Sequence, residues 1–224
     1  MPSSFWCVVE ALRAPNCARY LRSGIARYYN PQSGNYNIEA LLKDPFVESL
    51  LAEVERLRIA TRTIRTVRGG NLKLDNTWSI PDGISAITFS QDLGLNHAEW
   101  TKARPLTTAR PLEQFWWERF LVPEHQPPRR GAKEKTSRCS LEGLESLLTA
   151  FGIEPDSKPV RSWAKTIQAS TLAILMTEFE MQLCEPDYVE QVLPTVGEVA
   201  YGTVKPLDKI AIRIRRRRLG ERSN

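Results

Sequence analysis

The four cysteines, Cys7, Cys17, Cys139 and Cys184, and the two histidines, His97 and His125, are the side chains of this sequence best suited to ligate a metal or attack an electrophile. Their spacing serves neither purpose. No Cys-x-x-Cys pair occurs, and both histidines lie far from the cysteines along the chain, so zinc-ligand spacing is absent and no disulfide framework is implied. A reducing compartment is the default. Glu53 and Arg56 stand three apart in a helical pattern, which lets carboxylate and guanidinium share one face as a charge-assisted pair. Taken alone, such a pair is a surface contact worth about 0.5 kcal/mol. One further stretch has the shape of a ligand site. The loop from Phe151 to Arg161 holds Gly152, Pro155 and Pro159, where the backbone must bend, and leads into an apolar pattern free of Pro and Gly. It offers no Cys, His or Tyr.

The elements that position these groups are legible from period and punctuation. A helix is predicted to begin near Ser162, with Ala164, Gln168, Leu172, Leu175 and Phe179 recurring at three and four residues and with Ile167 and Ala173 widening the stripe. Alternation at Phe179, Met181 and Leu183 then predicts a strand. Upstream, Phe5, Val8, Val9 and Leu12 predict a helix up to Pro15, and Ala18, Leu21 and Ile25 a second one. Residues 30–35 are a turn, and Ile38 to Leu42 a short helix. Pro45 opens the helix that carries Glu53 and Arg56, with Phe46, Val47, Leu50, Leu51, Val54 and Leu57 as its buried face. Thr61 to Val67, Leu72 to Ile80 and Ala86 to Phe89 predict short antiparallel strands. Arg110 to Phe120 is an aromatic knot with a packing role. Residues 122–139 read as a flexible loop, 140–150 as short helical turns, and Ile210, Ile212 and Ile214 as a last strand.

Length and composition bound the class. At 224 residues, 42% hydrophobic and 25% charged, the chain falls in the soluble globular range and makes one domain or part of one. The net charge of +5 is a property of the tail. Lys209 to Asn224 hold seven basic residues and one acid, which leaves 24 basic and 25 acidic residues before them. The Arg215 to Arg218 run, within a basic tail at 215–224, reads as a solvated strand end and not as a nucleic-acid patch, so no nucleic-acid partner is expected. The first residues meet Glu10 too early for a signal sequence, and no apolar run is long enough to span a bilayer. No membrane anchor is expected in this chain, and a cytoplasmic location is.

Three segments, in order, resemble one family: Glu53-Val54-Glu55-Arg56, then Phe115-Trp116-Trp117-Glu118-Arg119-Phe120-Leu121, then Ser140 to Glu145 before a loop and long helix. Together with Arg213 to Arg217 they resemble the C-terminal part of a cytochrome P-450, a heme-thiolate monooxygenase, of the kind found in fungal secondary metabolism. The resemblance implies a mainly α fold with small antiparallel sheets, one incomplete domain over residues 1–224. It also implies that Glu53, Arg56 and Arg119 form the family's Glu-Arg-Arg triad, and that Arg65 stands where an arginine meets a heme propionate. Intact relatives bind heme and are anchored at the endoplasmic reticulum.

The resemblance breaks at the ligand. The family pattern Phe-x-x-Gly-x-Arg-x-Cys-x-Gly aligns without a gap, and Phe151, Gly152, Pro155, Pro159, Arg161, Ala164 and Lys165 fit it. Lys158 stands in the place of the cysteine, Asp156 in that of the arginine, and Val160 in that of the glycine. A lysine is protonated at its reference pKa of about 10.4 and does not supply the electron donation of a thiolate. Asp156 would face a propionate with like charge, a repulsion of about 4 kcal/mol at 4 Å and an effective dielectric of 20. Cys139 lies outside the loop and reads as an ordinary thiol. These departures imply no heme cofactor, no catalytic residue and no monooxygenase activity by this chain alone, either as a relic or as a protein retained to bind a partner over the apolar face that the absent half normally covers. The alternative is a biosynthetic enzyme, either a heme monooxygenase with a damaged gene model or a heme-free catalyst of a non-redox step using groups such as Glu53 or Lys158.

Overall fold

The computed structural model describes residues 2–124, 137–151, 157–195 and 202–217. The chain opens with helices α1 (Pro2–Arg13) and α2 (Pro15–Ala26), a ribbon of β1 (Tyr29–Asn30) and β2 (Asn35–Tyr36), the single turn α3 (Ile38–Leu41), and α4 (Pro45–Arg58). Strands β3 (Ile59–Ala60), β4 (Arg62–Thr66), β5 (Leu72–Lys73), β6 (Ser79–Ile80) and β7 (Ser85–Phe89) lead to α5 (Ser90–Gly94), α6 (His97–Ala103) and a 3-10 turn at Pro105–Thr108. After β8 (Leu121–Pro123) and β9 (Ser137–Cys139), the long helix α7 (Ser157–Glu178) runs directly into β10 (Phe179–Leu183), followed by α8 (Pro186–Gln191), β11 (Gly202–Thr203) and β12 (Ile212–Arg216).

The fold class is the predicted one, mainly helical with small antiparallel sheets. Among the described residues every sheet has two strands. The longest ribbons pair β10 with β12, from Phe179↔Arg216 to Leu183↔Ile212, and β4 with β7, from Arg62↔Phe89 to Thr66↔Ser85. Two-stranded ribbons are marginal by themselves, so the packing of helices supplies the stability.

Helix α4 lies at the centre of that packing. Asp44 caps it, accepting from the N–H groups of Phe46 at 3.0 Å and Val47 at 3.2 Å, and Pro45 at its first position loses no hydrogen bond. From Ser49 to Arg58 every residue of α4 is buried. Leu50, Leu51 and Val54 join the main core with Trp6 and Val9 of α1, Leu21 of α2, Leu172 and Met176 of α7, and Met181 of β10. Ala52 faces a second cluster of Trp100, Leu112, Phe120, Leu144 and Leu147. The amino-terminal helix is also tied to the far end of the chain, for the indole N–H of Trp6 donates to the Val204 carbonyl at 2.7 Å across 198 residues.

Two expectations change. The helix predicted from Ser162 begins at Ser157. Pro159 does not bar it, because the first four N–H groups of a helix have no intrahelical acceptor. Its buried stripe is Ala164, Gln168, Leu172 and Ala173, joined by Ala169 and Met176, while Ile167, Leu175 and Phe179 are half-buried. The stretch at 122–139 is not loop throughout, since Val122 and Pro123 pair with Arg138 and Ser137 as part of β8 and β9. The register is closed at its base by Leu121↔Cys139, next to the buried Phe120. Residues 125–136 of that stretch and 218–224 of the basic tail lie outside the described residues. No helix among the described residues is long and apolar enough to cross a membrane.

Candidate functional site

A helix buried all round can carry charge only where each charge finds a partner. Helix α4 carries four such residues in its last two turns. The Glu53 carboxylate accepts from Arg56 Nε and Nη2, both at 2.8 Å, from Arg119 Nε at 2.9 Å and from the Trp116 backbone N–H at 3.0 Å. The side chains of Glu53, Arg56 and Arg119 are all 0% exposed. The arginines spend their remaining donors on carbonyls. Arg56 reaches Gly94 at 2.9 Å and Leu112 at 2.7 Å. Arg119 reaches Thr107, Pro111 and Gln114 and so gathers the segment before it around one guanidinium. A side chain at Gly94 would press on Arg56, since a Cβ there would lie 3.3 Å from Arg56 Cγ.

Burial pushes the Glu53 carboxyl upward, but the charges and hydrogen bonds of Arg56 and Arg119 outweigh it and hold the group below its ordinary value. Burial pulls Arg119 down against the attraction of Glu53, and a guanidinium remains charged in either case. Glu53 is thus an ionised carboxylate held by four donors, three on Oε1 and one, Arg56 Nε, on Oε2. That arrangement locks α4 to the 107–119 segment, and complete burial of the carboxylate keeps a substrate from reaching it.

The other charged residues of α4 have partners that sequence reading missed. Arg58 binds Glu10 of α1 through Nε at 2.8 Å and Nη2 at 2.5 Å and stacks 4.4 Å over the Trp6 ring. Glu10, itself 0% exposed, also pairs with Arg13, which reaches Glu190 of α8 at 2.6 Å. Glu55 accepts from Arg161 Nε at 3.1 Å and Nη2 at 2.8 Å, which fixes the first turns of α7 against α4. The available signal was an acid inside the apolar run Val8-Val9-Glu10-Ala11, a position that requires a buried partner.

The positions aligned with the heme site are placed as follows. Lys158 is exposed in the first turn of α7, and Val160 beside it is 55% exposed. Arg65 is exposed on β4, opposite Ala86 of β7. Asp156 lies outside the described residues, as do Gly152 and Pro155. Among the described residues no cluster of Cys, His, Asp and Glu is arranged to hold a metal. A heme-thiolate needs a deprotonated sulfur as axial donor. From Ser140 to Leu183 the sequence contains no cysteine and no histidine. The Cys139 thiol on β9 is pushed up to about 12, first by burial and then by the Glu48 carboxylate. The donor set present does not fit a heme-thiolate.

Comparison with solved structures decides the fold. A cytochrome P-450 heme domain superposes with a TM-score of 0.67 at 16% identity, covering 98% of this chain and 41% of that one. The fold is that of part of a cytochrome P-450. Curated relatives agree along the sequence. The chain is 28% identical to cytochrome P-450 monooxygenase fsoE of Humicola fuscoatra and 26% identical to monooxygenase efuG of Hormonema carpetanum, over 98% of its length in each case. It is 23% identical to the 5-beta-cholestane-3-alpha,7-alpha-diol 12-alpha-hydroxylase of Sus scrofa over 96% of its length. The chain spans 40 to 42% of these relatives. No family model matches. In this cytochrome P-450-like chain, α4 is held to the 107–119 segment through Glu53, Arg56 and Arg119 and to α7 through Glu55 and Arg161.

Proposed function

We propose that this cytochrome P-450-like chain has lost the heme thiolate, does not activate oxygen by itself, and is retained as a partner-binding protein, in the setting of fungal secondary metabolism. The observation that carries this reading is Lys158, exposed in the first turn of α7 where the resemblance puts the cysteine, with no cysteine or histidine from Ser140 to Leu183 to replace it. The retained fit of Phe151, Arg161 and Ala164 around that position supports loss of chemistry with conservation of the scaffold. The fungal relatives fsoE, efuG and calL support the setting.

A heme-free catalyst of a non-redox step finds less support. Glu53, the buried acid such a reading would use, is fully enclosed and engaged by Arg56, Arg119 and Trp116. A second reading, a segment of a heme monooxygenase whose gene model is damaged, is favoured by the 40% span of fsoE. Sequencing the transcript tests it directly, because it requires a cysteine at the position of Lys158.

The experiment for the leading reading is reconstitution. Purified protein incubated with hemin, reduced and exposed to carbon monoxide is expected to give no thiolate-type Soret band. Appearance of that band would overturn the proposal.

A further inference from the structure

We propose that the cleft between α1, α2, β10 and α8 binds a small organic monocarboxylate with an apolar body, its carboxylate held by the Arg22 guanidinium. The inference stands apart from the heme question, for it uses none of Glu53, Arg56, Arg119 or Lys158. A guanidinium drawn out of water needs an acceptor. Arg13, Arg56, Arg58, Arg119 and Arg161 each meet a carboxylate. Arg104, which forms no ion pair with a described residue, donates to the Ser140 and Glu142 carbonyls instead. Arg22 differs. It is half-buried on α2, its Nε is closed off from solvent, and no described residue accepts a hydrogen bond or completes an ion pair with its guanidinium.

Arg22 lines a cleft of about 230 Å³. The apolar part of its wall comes from the edge of the core, with Leu12 of α1, Ala18 of α2 and Met181 and Leu183 of β10. Arg13 and Glu190 also line it, but they satisfy each other, Arg13 Nε and Nη2 donating to the two Glu190 oxygens at 2.9 and 2.6 Å. Among the described lining residues, Arg22 is thus a cation without an anion, set against hydrocarbon. Burial and then the neighbouring Arg217 lower its guanidinium, Glu180 pulls the other way, and the group stays charged. Glu180 does not close the pair, because its Oε2 accepts both Nε and Nη2 of Arg215, at 3.0 and 2.5 Å.

Size and charge select the ligand. The cleft is smaller than the about 300–1,000 Å³ that holds a drug-sized molecule, so the apolar body is a single ring or a short chain. Guanidinium nitrogens match the edge of a carboxylate as a two-point fork. A phosphate dianion would bring a second negative charge beside Glu190 and Glu180, and a neutral molecule would leave the guanidinium unpaired. A monocarboxylate answers the Arg22 charge and lays its hydrocarbon on Leu12, Ala18 and Met181.

The test is a saturation-transfer NMR titration of the intact chain with benzoate, paired with urea unfolding. Benzoate is expected to bind saturably, benzyl alcohol, a similar ring without the charge, to bind about tenfold or more weakly, and Arg22→Gln to lose about tenfold or more in benzoate affinity. The variant keeps the fold, because no described residue loses an ion pair and the repulsion from Arg217 is relieved, so its urea midpoint equals or exceeds that of the parent. Benzoate is also expected to raise the midpoint of the parent and not that of the variant. Four results would overturn the inference: no saturable benzoate binding, equal binding of benzyl alcohol, unchanged affinity in Arg22→Gln, or displacement of benzoate by an equal concentration of inorganic phosphate. None of these readouts involves heme. A thiolate-type band with benzoate binding intact would sink the functional reading alone.

Discussion

Replacing Glu53 with Gln removes one charge from the most heavily bonded carboxylate in the chain while preserving its shape. Four donors converge on Glu53. In the variant the amide oxygen still accepts, but the NH₂ must face guanidinium N–H groups, donor against donor. Arg56 and Arg119 remain buried with no countercharge. Loss of one partner of a buried pair costs about 3–5 kcal/mol. The carbonyls of Gly94 and Leu112 still hold Arg56, and those of Pro111 and Gln114 still hold Arg119, which places the variant near the lower end, at about 3 kcal/mol. With a urea slope of about 2 kcal/mol per molar, the midpoint at pH 7 falls by about 1.5 M, read by tryptophan fluorescence and circular dichroism together. The pH dependence supplies a second check. The folded-state pKa of Glu53 is depressed, so its contribution is fully present above the unfolded value of about 4.3 and is lost as pH falls through the folded value. The parent chain is expected to lose that component on acidification and Glu53→Gln to lack it. A midpoint within about 0.3 M of the parent at pH 7 would refute the reasoning, because it would equate this buried network with an exposed ion pair.

Arg161→Ala leaves the buried Glu55 without the guanidinium that both its hydrogen bonds come from, and a loss of about 2 kcal/mol is expected in the same urea experiment. Leu172→Ala opens a cavity at a fully buried position of α7 in the main core and is expected to cost about 2–5 kcal/mol, measured by thermal or urea unfolding. Maleimide labelling of the native chain at pH 8 is expected to modify the exposed Cys184 first. The buried Cys7 and Cys17, whose thiols burial pushes well up, should react only on unfolding, with Cys139, pushed up to about 12, well behind Cys184.

Much of this architecture is legible in the residues. Proline placed the starts of α2 and α4, period placed α1, α4 and α7, and alternation placed β10 and β12, because those signals are local. The start of α7 was misplaced by five residues, since Pro159 reads as a breaker although the first turn of a helix has no use for its missing N–H. The ribbon at 121–123 and 137–139 was missed because pairing across a long connection leaves no local trace. The same holds for the charge network. Glu53 and Arg56 are neighbours on one helix and visible as such, whereas Glu10 with Arg58 and Glu55 with Arg161 meet across 48 and 106 residues. Only the family resemblance brought Arg119 to Glu53.

The bond from the Trp6 indole to the Val204 carbonyl sets a timetable for the chain. Helix α1 is synthesised well before its acceptor, which lies 198 residues downstream. At about 5–20 residues per second, that acceptor arrives about 10–40 s later. For most of that interval, until residues 157–183 are made, the apolar side of α1 has neither α7 nor β10 to cover it. Until then α1 offers an apolar face to chaperones, and removal of the segment from β10 onward is expected to affect α1 as much as α8.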